Sequence, residues 1–300
     1  MPRSTGISLL LLLLPALVIP TACERSVTAP TRPSSSACPA GSWLSAVQAY
    51  QGLDWGHDCQ PCESLHFVVY SLRSSASAKQ EMADLSEHAL ETLRKHLEFA
   101  SDADMGVTRR LDVYAKDYPV DWGASAYSDG FVTDSIDSAM FSTRCRGDRG
   151  IYEAQIVHEL SHIVQMRFNS LTEVWFIEGV SEYVSGPALG VPIVTASGAP
   201  ILTSAQLTTW RGSGHVNPVG IVTVRDYVGS YWEYYPVFRL AIAYLFDDKG
   251  LGRSPSAIRE MYLDMRGGKL FRAAFRDRIG LAVEDYRDHF FEWMYEYLGR

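Results

Sequence analysis

Two histidines and a glutamate are spaced so that they could activate water at a metal ion. His158 and His162 stand four positions apart in residues 151–168, IYEAQIVHELSHIVQMRF. On a helix, residues four apart project from one face, so two imidazoles can reach one zinc ion at ~2.0–2.1 Å. Glu159 follows the first histidine and can lie beside the metal, where a carboxylate takes a proton from zinc-bound water. The spacing therefore indicates a zinc centre with Glu159 as the general base.

The segment that carries these residues has the apolar spacing of a helix. Val157, Leu160 and Val164 form a stripe at steps of three and four, which predicts a buried or half-buried helix. The alternative interpretation of the same residues is an ordinary helix with two surface histidines, since short motifs of this kind also occur by chance. The string alone does not choose between these two interpretations.

A second segment adds a resemblance to a known family. Residues 174–183, VWFIEGVSEY, begin another amphipathic helix. HELSH followed by W-F-I-E-G-V-S-E-Y resembles the gluzincin metallopeptidases, the thermolysin- and aminopeptidase-like group, and especially the bacterial exported peptidase MA-like proteins. The resemblance implies that Glu178 is the third zinc ligand beside His158 and His162. It also implies that Glu182, one turn beyond, orients a ligand imidazole. The alternative for both glutamates is a solvated helix face.

Two histidines and one glutamate with an open fourth position form the catalytic type of zinc site. The oxyanion that develops in such a site needs a donor besides the metal, and in related enzymes a tyrosine or histidine of a later helix supplies it. Residues 231–238, YWEYYPVF, contain three tyrosines. Comparison with the family pattern, met here by Tyr244, Leu245 and Gly250, favours Tyr235. Each of the three tyrosines could instead pack within a helix.

The remaining sequence predicts an α+β domain, because strands come first and helices later. The interval 119–142 suggests loops with one or two strands around Phe131–Met140. Elsewhere we expect strands at 66–70 and 111–114, an amphipathic helix at 78–100, and helices near 233–248, 255–265 and 283–298.

The family resemblance extends over roughly residues 63–298, and it implies a more specific fold. We expect a thermolysin-like zincin catalytic domain with N-terminal strands and a helix, an edge strand, zinc-binding helices and a helical C-terminal part. Residues 120–140 would supply the edge strand, over which an extended peptide could lie by strand addition.

The first residues of the chain have the layout of an export signal. Residues 1–22 place Arg3 before a short apolar run that ends in small residues, as in a bacterial signal peptide. Cys23 follows directly and resembles the lipidated cysteine of a lipoprotein. Residues 23–37 are rich in Ser, Thr and Pro and indicate a flexible tether, so we expect one domain over residues 38–300. Simple secretion or an uncleaved anchor are the alternatives.

Four cysteines besides Cys23 suggest two disulfides in an exported protein. They are Cys38, Cys59, Cys62 and Cys145, and three pairings are possible. The Cys59–Cys62 pair could alternatively belong to a zinc knuckle or a redox site.

The charge balance narrows the possible partners. Lys and Arg total 27 against 35 for Asp and Glu, a formal net charge of −8 that disfavours binding to nucleic acid. We therefore expect an exported zinc metallopeptidase acting on a peptide or protein, which contacts the membrane only through a lipid on Cys23. The alternative is a surface-tethered peptide-binding protein that uses the same fold without turnover.

Overall fold

The computed structural model describes most of the predicted domain. The signal peptide (1–22) and tether (23–37) expected from the sequence lie outside the described residues, and so do Cys38 and Cys59. The disulfides therefore stay a prediction. Within the described ranges, no helix is long and apolar enough to cross a membrane. The described residues are 61–71, 73–116, 124–145, 147–169, 172–188, 218–220, 226, 234–248 and 250–298.

A mixed sheet comes first along the described chain. Its strand order is β1-β2-β3-β5-β4, in which β2, β3 and β5 run parallel while β1 and β4 pair antiparallel at the two edges. The strands are β1 (Cys62–Glu63), β2 (Phe67–Tyr70), β3 (Leu111–Lys116), β4 (Ser125–Tyr127) and β5 (Gly130–Asp134).

Helices dominate the rest of the chain, so the α+β class expected from the sequence is confirmed. A short 3-10 turn lies at Pro218–Gly220. The α-helices are α1 (Ala76–His96), α2 (Ala139–Arg144), α3 (Arg149–Asn169), α4 (Val174–Ala188), α5 (Tyr235–Phe246), α6 (Ser256–Arg266), α7 (Phe271–Ile279) and α8 (Val283–Leu298).

A capping side chain and a residue with positive φ set the two ends of helix α1. The Ser75 side chain accepts a hydrogen bond from the Ala78 backbone N–H at 3.1 Å, which satisfies one of the free donors of the first turn. The helix ends at His96, earlier than the predicted range of 78–100. The reason is that Glu98 takes a positive φ of 55°, which turns the chain out of the helix.

The interval 131–140 corrects a prediction. Two strands are present, but β4 lies before the expected interval and β5 ends at Asp134. Helix α2 then begins where a strand was expected to run to Met140. Ser138 caps this helix by accepting a hydrogen bond from the Phe141 N–H at 3.2 Å. A serine cap followed by a helical turn outweighed the β-branched composition of this stretch.

Close packing fixes the two central helices against their neighbours. Helix α3 lies between α1 and α4, and α5 covers the other side of α4. Gly179 makes the second contact possible, since a Cβ there would lie 2.8 Å from the Phe238 carbonyl oxygen. The Trp175 ring, also on α4, is fully buried and stacks on Tyr286 of α8 at a centroid distance of 5.7 Å. Helices from both ends of the described chain therefore position α4.

Candidate metal centre

Helix α3 presents both histidines of the motif on one face. The predicted stripe of Val157, Leu160 and Val164 is buried, and the two histidines lie on the opposite side of the helix. The Nε2 atoms of His158 and His162 lie 3.0 Å apart. The helix spacing thus brings the two ring nitrogens together as the sequence predicted.

Helix α4 adds the third candidate ligand. Glu178 Oε2 lies 3.4 Å from His158 Nε2 and 3.5 Å from His162 Nε2. Ligand atoms on a tetrahedral ion with bonds of ~2.0–2.1 Å stand about 3.4 Å from each other. The two distances to Glu178 match this spacing, and the two Nε2 atoms at 3.0 Å lie slightly closer together, so the three side chains could hold one metal ion. In the part of the chain that the structure describes, they are the one group of metal-binding side chains whose ligand atoms converge in this way.

The Glu178 carboxylate itself points to a cation. Its Oε2 atom is buried and accepts no hydrogen bond from any described residue. A buried carboxylate oxygen without a partner is costly, and a cation among the three ligand atoms would satisfy it. Burial alone would raise the pKa of Glu178, but the imidazoles of His158 and His162 outweigh burial and hold that pKa below its usual range.

Glu182 lies behind the first ligand. Its Oε1 atom is 3.2 Å from His158 Nδ1, so the imidazole donates there and turns its Nε2 lone pair toward the other ligands. Burial works to lower the pKa of His158, yet the carboxylates of Glu178 and Glu182 raise it well above its ordinary value. A metal ion at Nε2 requires that this ring atom carries no proton. This geometry agrees with the orienting role implied for Glu182.

The candidate base, Glu159, lies in a dry position. Glu159 is 7% exposed. Burial raises the pKa of Glu159, while electrostatic interactions with His158, His162 and Lys116 act in the opposite direction. A poorly solvated carboxylate of raised pKa is well suited to take up a proton at neutral pH.

One of the three candidate tyrosines stands beside the ligands. Tyr235 is the first residue of α5, is half-buried, and has its ring 6.2 Å from the His158 ring, measured between centroids. Tyr234 is fully buried, which makes it the packing residue of the pair. Tyr231 lies outside the described residues. Of the two described tyrosines, the structure therefore brings Tyr235 to the centre.

Two residues at the centre escaped the sequence analysis. Gln165 Oε1 lies 3.0 Å from His162 Nδ1, and Ser181 Oγ lies 3.3 Å from the same nitrogen. The helical spacing contained a signal for Gln165, because it stands three positions after His162 on the same side of α3. No comparable signal exists for Ser181, since its approach depends on how α3 and α4 pack.

One edge of the sheet packs against the helix that carries the two histidines. Strand β4 (Ser125–Tyr127) is half-exposed, occupies one edge of the sheet, and contacts α3. The edges of sheets are the places where a further strand can be added. The described part of the chain thus has an edge strand in the region where the sequence predicted one.

Comparison of the sequence with known protein families gives no match, and comparison with curated proteins gives none either. The functional assignment is therefore built on the residues of the centre and on the motif that they form.

Proposed function

We propose that this protein is a zinc-dependent metallopeptidase of the gluzincin type with a thermolysin-like catalytic fold. One observation carries the proposal: the ligand atoms of His158, His162 and Glu178 converge within 3.5 Å on two adjacent helices. A buried glutamate stands next in sequence to the first ligand, as in a hydrolytic centre.

The ligand set favours zinc and leaves room for chemistry. Two imidazoles and one carboxylate are the ligands of many catalytic zinc sites. The side chains of His158, His162 and Glu178 are 14%, 16% and 20% exposed, so solvent and substrate can reach them. A zinc ion held there would supply a Lewis acid that polarises a carbonyl and lowers the pKa of water in the site.

The proton transfers are assigned to Glu159. It takes the proton of the attacking water and then delivers it to the amide nitrogen of the leaving group. Burial raises the pKa of Glu159, which favours uptake of the proton in the first transfer.

Tyr235 is assigned the role of hydrogen-bond donor to the carbonyl oxygen of the substrate. Its position beside His158 allows the phenol to donate a hydrogen bond as negative charge develops on that oxygen. Strand β4 supports a peptide as the substrate, because an extended chain can pair with its backbone.

The proposal includes a location outside the cytoplasm. Residues 1–22 would direct export, and a lipid on Cys23 with a tether over 23–37 would hold the domain (38–300) at a membrane surface. The formal net charge of −8 is compatible with a periplasmic or cell-surface lipoprotein, and it disfavours binding to nucleic acid.

Metal analysis combined with a peptide digest tests the proposal. Purified protein from zinc-replete medium should contain close to one zinc per chain. A broad peptide library should be cleaved by the wild type, whereas Glu159→Gln should keep zinc and lose cleavage.

Two results would contradict the assignment. If the purified protein contains no zinc, the proposed metal centre is wrong. If the wild type and Glu159→Gln give equal digests, the protein binds peptides without turnover.

A further inference from the structure

We infer that Gln165 is a positioning residue, which fixes the hydrogen-bonding form of His162 and holds α3 and α4 at the spacing that the metal centre requires. The inference rests on the proposed function, since it concerns the same centre.

The first step is the orientation of the Gln165 side chain. Its Nε2 atom donates a hydrogen bond to the Ile177 carbonyl oxygen at 2.9 Å. A carbonyl oxygen only accepts, so the nitrogen end of the amide must face Ile177. The other end, Oε1, is therefore the atom that lies 3.0 Å from His162 Nδ1. The side chain is 5% exposed, which leaves little room for a flipped amide.

The second step fixes the proton on His162. Gln165 Oε1 can only accept, so His162 Nδ1 must carry the hydrogen between them. Ser181 gives the same answer: its hydroxyl donates to the Ile177 carbonyl oxygen at 3.1 Å and so offers a lone pair to Nδ1. With Nδ1 protonated, the neutral imidazole has its lone pair on Nε2. That lone pair faces His158 and Glu178.

The third step concerns the distance between the two helices. Ile177 immediately precedes the candidate ligand Glu178. Its carbonyl oxygen accepts the hydrogen bond from the side-chain amide of Gln165. One side chain of α3 thus contacts a ligand imidazole and also binds the backbone of α4 beside the third ligand. Loss of this side chain would loosen both the ring of His162 and the position of Glu178.

His158 and His162 therefore differ in the partner behind the ring. Glu182 gives His158 an anionic acceptor, while Gln165 and Ser181 give His162 neutral ones. A neutral acceptor orients the ring without adding negative charge to the centre.

Zinc affinity tests the inference, measured by competition with a chelator for the full chain. Gln165→Met removes the acceptor at similar length and should weaken zinc binding by roughly 10–100-fold. Gln165→Glu keeps an oxygen opposite Nδ1 and should bind zinc more tightly than Gln165→Met. Ser161→Ala is the matched control, because Ser161 is also buried and lies 3.5 Å from Gln165 Nε2. It should keep the wild-type affinity and the wild-type visible spectrum with Co²⁺.

A second measurement needs no substitution. In zinc-loaded wild type with ¹⁵N-labelled histidine, the ring nitrogens should report His162 bound through Nε2, with a slowly exchanging N–H at Nδ1. Coordination through Nδ1 would overturn the inference, even where Gln165→Met does not fold.

The outcomes separate this inference from the proposed function. Wild-type affinity in Gln165→Met, or an equal loss in Ser161→Ala, would overturn the positioning role and leave the peptidase assignment standing. A wild type that binds no zinc would overturn both.

Discussion

The ammonium group of Lys116 lies 3.3 Å from the Asp134 carboxylate, and neither side chain is exposed to solvent. The two residues are register partners on the parallel strands β3 and β5, at the ends from which both strands leave the sheet. The Lys116 charge also works to lower the pKa of Glu159, so a member of this buried ion pair influences the candidate base.

Lys116→Met should destabilise the fold strongly. The substitution leaves the Asp134 carboxylate buried without its cation, which costs about 3–5 kcal/mol for pairs of this kind. Urea unfolding followed by circular dichroism measures the free energy of unfolding. Lys95→Met is the control, because the Lys95–Glu91 pair is exposed and exposed ion pairs contribute little to stability. If both variants lose a similar small amount of unfolding free energy, the buried pair contributes little to stability and the prediction is wrong.

Gly179→Ala should lower stability through a clash between helices. The added Cβ would lie 2.8 Å from the Phe238 carbonyl oxygen and 2.9 Å from Ile242 Cγ1, so α5 must move away from α4. Overpacking of this kind costs about 1–3 kcal/mol, measured as the shift in the urea unfolding midpoint. A Cβ at Gly220 meets no atom of the described residues within 4 Å, so Gly220→Ala serves as the control. Equal stability of the two variants would argue against the close helix contact.

Glu182→Ala should weaken metal binding. The change removes the carboxylate that accepts from His158 Nδ1, and loss of such a partner typically costs 10–100-fold in metal affinity. Chelator competition measures this affinity. Glu292 is exposed on α8, and Glu292→Ala should bind zinc like the wild type. If the two variants bind zinc equally, Glu182 does not orient the ligand.

Asp112 should make stability depend on pH. Burial, together with the neighbouring Asp129 carboxylate, raises the pKa of Asp112 from 3.8 to about 6. Between these values the folded state holds more protons than the unfolded state, so the free energy of unfolding falls as the pH rises through this window. Asp112→Asn cannot lose a proton there and should gain stability relative to the wild type between about pH 4 and pH 7.

Urea unfolding at several pH values measures this difference. Asp248→Asn, a change at an exposed aspartate, should follow the wild-type curve. A constant difference between Asp112→Asn and the wild type across the window would refute the prediction.

Removal of zinc should abolish cleavage and leave the fold in place. The helices that carry the ligands are held by apolar packing around Trp175 and by the α4–α5 contact at Gly179. A chelator should therefore lower the melting temperature while the far-ultraviolet circular dichroism spectrum at 25 °C stays unchanged. Added zinc should restore cleavage. Unfolding on chelation, as in a zinc finger, would contradict a metal centre built on a stable core.

The sequence was informative where a short spacing determines the geometry. The separation of His158 and His162 fixes their common face on any helix, and the apolar stripe with Val157 fixes which side is buried. The runs at 66–70 and 111–114 likewise contain strands β2 and β3, because valine and aromatic residues favour strands locally.

Contacts between distant segments could not be predicted in this way. The approach of Ser181 to His162 depends on the packing of α3 against α4, and the Lys116–Asp134 pair depends on the register of two strands. Helix α2 was missed for a local reason, since the cap at Ser138 outweighed the composition of its surroundings. Spacing within one element thus revealed the motif, whereas the residues that support it emerged only from the fold.

The stacking of Trp175 on Tyr286 has a consequence for the biosynthesis of the protein. Trp175 stands three positions before the ligand Glu178, while Tyr286 is made more than a hundred residues later. The surroundings of the ligand helix are thus incomplete until translation has passed Tyr286. A nascent chain on the ribosome therefore lacks the finished surroundings of Glu178 until the segment around Tyr286 has been made.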